Sequence, residues 1–225
     1  MEQPSSKLAS IQLSPLEARV LGSLLEKERT TPEGYPLTLN TLVNACNQLS
    51  NRDPIVEYDE RVVLHGLDLL RQKKLVFEVR AAGSRVEKYR HALLDHFQLK
   101  PDETAILCVL MLRGPQTSGE LRTRTERQHS FFSLEAVDAS IQSLIQMPEP
   151  LVRSVPPAHG QKENRYRELL SIQTETQPEA PPEKKTTILV DETRLNSVEM
   201  EIQSLRQELS ALREEFNTFK RQFES

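Results

Sequence analysis

The feature that most constrains the fold of this 225-residue chain is an internal repeat. The segment Leu13–Leu21 resembles Leu99–Leu107, which lies 86 residues further along the chain. Both segments place a proline where a helix would begin and a glutamate in its first turn. Proline is well tolerated at the first helical position, and an acidic residue there interacts favourably with the helix dipole. The repeat predicts two units that each begin with a helix, from Pro15 to about Arg29 and from Pro101 to about Arg113.

The parallel continues downstream of these first helices. A second helix is predicted to open at Leu37-Thr38 and at Gln116-Thr117, and Thr117 to Glu120 has the pattern of a capping box. The third helices are predicted at about Asp59–Lys73 and Ser133–Met147, with Val62, Leu69 and Leu70 matched to Val137, Leu144 and Ile145. The strands that follow are predicted at Leu75–Val79 and Leu151–Val155, each leading through a glycine-containing turn to a second strand, around Tyr89 and Tyr166.

Three helices followed by a two-stranded hairpin is the order of elements in a winged helix-turn-helix domain. The predicted fold class is therefore α+β, mainly α, with two tandem winged helix-turn-helix domains at residues 14–98 and 99–170. The alternative is an unrelated α+β domain with two hairpins. Residues 1–13 are expected to form a flexible N-terminus.

The C-terminal part of the chain has a different pattern. Residues 171–187 contain three prolines and many charged residues, which predicts a disordered linker. Residues 188–224 predict a coiled-coil helix, because apolar residues recur at alternating spacings of three and four. This heptad consists of Leu195, Val198, Ile202, Leu205, Leu209, Leu212, Phe216, Phe219 and Phe223. We expect a parallel homodimer; a trimer and a fold-back of the helix onto the winged helices are the alternatives.

Several long, irregular motifs resemble those of the bacterial YceH-like family. In the first unit they are Leu16–Lys27, Thr30–Leu37, Ala45–Gln48 and Ser50–Pro54, and in the second Arg113–Thr117, Gly119–Arg122 and Glu163–Tyr166. The resemblance covers about residues 13–170 and implies tandem winged helices. It implies no activity, because the family is uncharacterised, and the coiled-coil region lies outside it.

Residues with catalytic or metal-binding chemistry are sparse. The seven glycines are scattered singly, so no phosphate-binding loop is present. Of the histidines, only His91 and His96 lie close together, and we interpret them as the exit of a wing strand rather than as metal ligands. Cys46 is interpreted as a small buried helical residue, with a nucleophilic role as the alternative. We expect a non-enzymatic protein without a cofactor. The two isolated cysteines, Cys46 and Cys108, favour the cytoplasm, and no membrane association is expected.

The charge distribution limits which nucleic-acid contacts are available. Residues 14–98 contain 12 basic and 12 acidic side chains and residues 99–170 contain 9 of each, so neither unit is a basic domain. In the second unit the outer stripe of the third helix, Glu135, Asp138, Gln142 and Gln146, would be repelled by phosphates. Candidate DNA contacts are Arg61, His65, Arg71, Lys73, Lys74, Arg85, Lys88, Arg90, Lys162, Arg165 and Arg167.

Two functional hypotheses follow from these charges. In the first, the protein is a DNA-associated regulator that contacts duplex DNA mainly through the first domain and the wings. In the second, it is a protein–protein interaction adaptor that does not read DNA. The polar stretch Asn44–Pro54 is interpreted as a helix end and turn, with an exposed recognition loop as the alternative.

Overall fold

The computed structural model of the protein describes residues 11–80, 86–157 and 163–172. Within these ranges the fold is mainly helical α+β, with seven α-helices and two small antiparallel sheets. The helices are α1 (Pro15–Thr30), α2 (Leu39–Cys46), α3 (Glu60–Gln72), α4 (Leu93–His96), α5 (Pro101–Arg113), α6 (Ser118–Thr125) and α7 (Leu134–Ile145). The strands are β1 (Leu37–Thr38), β2 (Val76–Val79), β3 (Lys88–His91), β4 (Val152–Val155) and β5 (Arg165–Glu168). The predicted mainly helical α+β class is confirmed.

The opening helix of each half, α1 or α5, is fixed at its N-terminus by a glutamate. In α1 the carboxylate of Glu17 accepts the backbone N–H of Ser14 at 2.8 Å, and the Ser14 hydroxyl accepts the N–H of Glu17 at 3.3 Å. In α5 the carboxylate of Glu103 accepts the N–H of Lys100 at 2.8 Å. These bonds satisfy N–H groups that have no partner within the helix. The predicted starts at Pro15 and Pro101 are confirmed.

The second and third helices begin at polar N-cap residues that the sequence also indicated. Each N-cap side chain accepts a backbone N–H from the first turn of its helix, which is worth about 1 kcal/mol per cap. The caps of the second helices are Thr38 and Thr117, and those of the third helices are Asp59 and Ser133.

The structure corrects the predicted alignment of the two third helices by one residue. The N-caps Asp59 and Ser133 lie 74 positions apart, whereas pairing Val62 with Val137 requires 75. Val62 is 37% exposed and Val137 is fully buried, so the residue equivalent to Val137 is the buried Val63. A shift of one residue turns a side chain by about 100° around a helix, which moves it off the core face. The buried sets that do correspond are Val63, Gly66, Leu67 and Leu70 in α3, and Val137, Ser140, Ile141 and Leu144 in α7.

Each half closes with an antiparallel hairpin. The first sheet has the strand order β1-β3-β2, and Leu37 of β1 pairs with Tyr89 of β3. In the second half β4 pairs with β5, and Gln116 forms an isolated bridge to Tyr166. Leu37 precedes α2 as Gln116 precedes α6, so the repeat extends to the strand pairing.

The two halves pack closely through α1 and α5 and share one continuous hydrophobic core. The contact centres on Gly22, whose carbonyl accepts a hydrogen bond from Cys108 Sγ at 3.4 Å. A Cβ atom at Gly22 would lie 2.9 Å from Cδ2 of Leu112, so the absence of a side chain permits this close approach. A backbone bond of 2.9 Å from Asp53 N to Leu112 O adds a second connection.

The predicted flexible N-terminus, residues 1–13, extends too far. Ile11 is 3% exposed and Leu13 is fully buried. Leu13 donates its N–H to Leu170 at 2.8 Å, and Ile172 donates to Leu13 at 2.7 Å. These bonds hold the segment before α1 beside the end of the second half, so the first two residues of the predicted linker 171–187 are also part of the fold. Among the described helices, none combines the length and apolar character needed to cross a bilayer.

Candidate functional site

Helix α3 presents a polar outer surface, as its spacing predicts. Its inner side is buried through Val63 and Leu67, which leaves the opposite side free to contact other molecules. We call the exposed stripe the α3 face, and it consists of Arg61, His65, Asp68 and Gln72. Beside it, Leu64 is 40% exposed, so the surface of this helix is mixed rather than uniformly basic.

Two of the candidate cations at the end of α3, Lys73 and Arg71, form ion pairs with acidic side chains of the fold. Lys73 Nζ lies 2.5 Å from Oε1 of the buried Glu17 and donates to the carbonyl of Gln12 at 2.6 Å. Arg71 lies 3.5 Å from the carboxylate of Asp68 and 3.8 Å from that of Glu78 on β2. The side chain of Lys73 therefore serves to anchor α3 to the start of α1.

The first hairpin, β2–β3, carries cations whose charges are offset by neighbouring groups. Arg80 forms an ion pair with Glu87. Arg90 lies over the ring of Phe77, 4.9 Å from its centroid, and 3.9 Å from Asp95. Such pairs reduce the positive potential that this hairpin presents to a phosphate.

Three of the candidate cations differ from these. Arg61, Lys74 and Lys88 have no acidic partner among the residues that the structure describes. Lys74 is exposed and adopts a left-handed backbone conformation with φ of 59°, directly after α3. Arg85 lies outside the described residues. The cations of the first half that remain available to an external anion are thus fewer than the sequence predicted.

In the second half one of the predicted contacts of the hairpin β4–β5, Arg165, has a structural role. Arg165 Nη1 donates to Glu120 at 2.9 Å and to the carbonyl of Pro115 at 2.9 Å. This arginine therefore connects β5 to the start of α6. Arg167 lies on the same strand and is half-buried, and Lys162 lies outside the described residues.

Helix α7 presents a surface of the opposite character to the α3 face. We call it the α7 face, and it consists of the exposed residues Glu135, Asp138, Gln142 and Gln146. At its start Phe132 is 87% exposed and Leu134 is 42% exposed. An acidic to neutral stripe next to exposed apolar side chains suits a protein partner better than a phosphate backbone.

Two side chains of the polar stretch Asn44–Pro54, those of Arg52 and Asn47, are tied into the fold, in agreement with its structural interpretation, whereas Ser50 and Asn51 are exposed. Arg52 forms a two-pronged ion pair with Glu26, with contacts of 2.6 and 3.2 Å, and donates to the carbonyl of Ala45 at 2.8 Å. Asn47 exchanges two hydrogen bonds of 2.8 Å with the backbone of Tyr58. These side chains satisfy backbone groups of the turn, which leaves them unavailable to an external ligand.

A cleft that sequence reasoning missed lies between the two halves. It has a volume of about 370 Å³ and is lined by the ends of α1 and α5, the segment after α2, and α6. We call it the basic cleft, after its cations Lys27, Arg113, Arg124 and Arg127. These residues are far apart in sequence, so only the packing of α1 against α5 brings them together.

The cysteine and histidine side chains that we expected to have no catalytic or metal-binding role lie in the core or form hydrogen bonds within the fold. Burial raises the pKa of Cys46 and of Cys108, which disfavours the reactive thiolate. His91 ends β3, as predicted, and its Nε2 lies 2.8 Å from Oε2 of Glu28. His96 contacts the carbonyl of Lys74 at 3.1 Å. Within the described ranges, His, Cys, Asp and Glu do not form a group of three or more that could hold a metal ion.

These features define an internally duplicated, mainly helical protein whose candidate functional surfaces are the outer faces of its third helices and the basic cleft. The chain belongs to the family described as "Protein of unknown function, DUF480", which matches residues 13–161. A UPF0502 protein of Opitutus terrae is 53% identical over 180 residues, covering 77% of this chain and 78% of the relative. A UPF0502 protein of Geotalea daltonii is 46% identical over 194 residues, covering 85% and 88%. Another from Shewanella halifaxensis is 41% identical over 202 residues, covering 85% and 94%.

Proposed function

We propose that the protein is a non-enzymatic tandem winged-helix protein of the YceH-like type that associates with duplex DNA through its first half. In both halves a helix, a short strand or bridge, two helices and a hairpin follow one another, and this order supports the winged-helix assignment. In this class of fold the third helix enters the major groove. Helix α3 occupies that position in the first half. The buried, protonated thiols of Cys46 and Cys108 fit a reducing cytoplasm.

The observation that carries this proposal is the difference between the α3 face and the α7 face. Arg61 lies on α3, Lys74 follows the end of this helix, and Lys88 lies in the hairpin after it. None of these three cations has an acidic partner among the described residues. Arg, His and Gln side chains such as those of the α3 face can hydrogen-bond to base edges. The α7 face has acids instead. We therefore assign the DNA contact to the first half.

The affinity for DNA is expected to be modest. Nonspecific affinity and its salt dependence grow with the number of phosphates that are neutralised. Because Lys73 and Arg165 are held by Glu17 and Glu120, respectively, they contribute little to that number. Binding should accordingly be strongest at low ionic strength and show a shallow dependence on salt.

A gel-shift assay at low salt with genomic fragments tests the proposal. The double variant Arg61→Ala, Lys88→Ala should weaken binding by about tenfold or more, since the loss of even one hydrogen bond to a charged group costs about 1.5–3 kcal/mol. Arg153→Ala provides a matched control, because Arg153 is an exposed arginine on β4 of the second half. Equal weakening by the control, or no binding of the wild type to any duplex, would contradict the proposal.

The second candidate function is that of a protein–protein adaptor. It is favoured by the α7 face together with Phe132, which is 87% exposed. In this case the partner would cover an apolar side chain flanked by acids. Phe132→Ser should abolish binding of the partner and leave DNA binding unchanged, whereas loss of DNA binding in this variant would argue against separate surfaces.

We also propose a homodimer formed by the coiled-coil helix 188–224, whose heptad Leu195–Phe223 and preceding linker 173–187 lie outside the described residues. In the parallel register Glu201, Glu208 and Glu215 face the partner's basic residues Arg206, Arg213 and Lys220. Val198→Cys, in a chain with Cys46 and Cys108 replaced by Ala, should form a disulfide-linked dimer on oxidation. A monomeric mass in solution, with no crosslink, would exclude this arrangement.

A further inference from the structure

We propose that the basic cleft binds a small molecule bearing a phosphate group, at a site separate from the proposed DNA contact. The cleft lies between the halves and its volume, about 370 Å³, falls within the range of ligand-binding sites in proteins. Four of its lining residues are cations, and the single carboxylate among them is that of Glu26. The inference goes beyond the DNA contact, because none of its residues lies on the α3 face.

The positive charge of the cleft is only partly neutralised from within the fold. The carboxylate of Glu26 is already engaged by the buried guanidinium of Arg52, at 2.6 Å, and lies 3.9 Å from Lys27. Arg127 is exposed and has no acidic partner among the described residues. Arg124 reaches Glu120 at 3.5 Å. An excess of cations therefore remains in a concave, partly desolvated place.

Burial and neighbouring like charges both disfavour the charged forms of cations in the cleft. Burial lowers the pKa of Lys27, and the charges of Arg52 and Arg127 lower it further, against the opposing influence of Glu26. Burial also lowers the pKa of Arg113, and the neighbouring Arg124 contributes in the same direction. An anion bound among these cations would relieve the repulsion.

The chemistry of the lining points to phosphate. A guanidinium group donates two parallel hydrogen bonds to phosphate oxygens, and three of the four cations are arginines. Around them the cleft offers uncharged donors and acceptors that suit the rest of a small polar molecule, namely Gln48, Ser50, Asn51, Thr123 and Gln128. A phosphate with two negative charges matches the excess of cations better than a single carboxylate does.

The site also has a fixed geometry that spans both halves. Arg113 Nη1 of α5 donates to Oδ1 of Asn51 at 2.9 Å, which places one cation of the second half against the segment after α2. The neighbouring bond from Asp53 N to the carbonyl of Leu112, 2.9 Å long, fixes the same two segments. A ligand in the cleft would thus contact both halves at once, and its binding should stabilise their packing.

Titration calorimetry and thermal unfolding of the full chain with pyrophosphate and with adenosine monophosphate test this proposal. Saturable binding and a rise in Tm are expected for the wild type, because a ligand that binds only the folded state stabilises it. Arg124→Gln and Arg127→Gln should each weaken binding by about tenfold, the effect expected for loss of one hydrogen bond to a charged group.

Arg122→Gln is the matched control. Arg122 lies on the same helix, is exposed and does not line the cleft. The Arg122→Gln variant should bind pyrophosphate and adenosine monophosphate with the affinity of the wild type. Equal loss in Arg122→Gln, unchanged binding by the double variant Arg124→Gln, Arg127→Gln, or no saturable binding of either probe to the wild type would each overturn the proposal. A short DNA duplex that binds through Arg124 and Arg127 when neither small probe does would show that the cleft serves nucleic acid instead.

Discussion

Glu17 and Glu103 occupy the same place in the two halves, the first turn of the opening helix, but they bind different partners. Glu17 forms an ion pair of 2.5 Å with Lys73, whereas Glu103 accepts a hydrogen bond from the hydroxyl of Ser143 at 2.6 Å. In both cases the carboxylate connects the opening helix to the third helix or its end. In the first half the connection joins two charged groups, and in the second half it joins a carboxylate to an uncharged hydroxyl.

The same contrast recurs elsewhere in the molecule. The first half buries Arg52 against Glu26, and the second uses the hydrogen bond from Ser140 to Asp102, 2.6 Å long, between α7 and α5. The two halves therefore share a topology that does not depend on a particular set of charges. The charged residues differ between the two halves, and these differences determine the electrostatic character of the surface that each half presents.

Breaking the ion pair of Arg52 and Glu26 should have the largest effect on stability. We expect Arg52→Met to lower the free energy of unfolding by about 3–5 kcal/mol, because it leaves the carboxylate of Glu26 buried without its partner. The corresponding change in the second half, Ser140→Ala, should lower it by about 1.5–3 kcal/mol, the value of a hydrogen bond to a charged group. Urea denaturation at neutral pH measures both.

A double variant separates the contact from the orphaned charge. Adding Glu26→Gln to Arg52→Met should restore part of the lost stability, since the remaining side chain is then neutral. Arg122→Met, at an exposed position, should stay within about 0.5 kcal/mol of the wild type. If Arg52→Met were as mild as this control, the buried pair would not be a main support of the first half.

The ion pair of Glu17 predicts a pH dependence. Burial opposes the charge on Glu17, but the bonds from Lys73 and Ser14 outweigh it and hold the pKa of this carboxyl below its ordinary value of 4.5. A lowered pKa in the folded state contributes stability that is present above pH 4.5 and is lost as the pH falls towards the folded-state pKa. Glu17→Gln should therefore cost about 1–3 kcal/mol at pH 7 and progressively less below pH 4.5.

Unfolding in urea at several pH values, with Glu17→Gln and Lys73→Met side by side, checks this prediction. Lys73→Met removes the main partner of the carboxylate, so it should reduce the same acid-sensitive component of stability. A difference between wild type and Glu17→Gln that is constant from neutral pH to well below pH 4.5 would show that the charge of Glu17 is not what the fold stabilises.

Much of the architecture could be predicted because its signals are local. Pro15 and Pro101 mark helix starts through the fixed φ of proline, and Thr38 and Ser133 mark them through hydrogen bonds within a single turn. The structure has helices beginning at or directly after these residues. The alignment of α3 with α7 failed by one residue because the pattern of leucines and valines fits two registers. The positions of the N-caps Asp59 and Ser133 and the burial of Val63 distinguish them.

The functional surfaces were harder to predict, since they depend on contacts between distant residues. Lys73 looks like a free cation in the sequence, but its partner Glu17 lies 56 positions away. The basic cleft combines Lys27 with Arg127, and no spacing in the sequence indicates that α1 and α5 bring them together. The sequence places Arg124 and Arg127 close together, but it does not indicate the cavity that they line.

The smallest expected effect concerns the outer faces of the third helices, and it tests whether charge alone separates the two halves. With the corrected alignment, Arg61 of α3 and Glu135 of α7 are equivalent positions, two residues after the N-caps Asp59 and Ser133. If both halves can approach DNA, Glu135→Arg should raise the affinity at low salt by a few fold and steepen the dependence of log K on log salt by about 1, while Arg61→Ala should make it shallower by about 1. Stability should change little, since both side chains are exposed.

Fluorescence anisotropy with a labelled duplex across a salt series measures these slopes. If the double variant Arg61→Ala, Glu135→Arg binds DNA with the affinity of the wild type, the gain from Glu135→Arg equals the loss from Arg61→Ala. The two halves would then be interchangeable in DNA binding. No gain from Glu135→Arg would show that the α7 face does not approach DNA, and would assign that face to a protein partner.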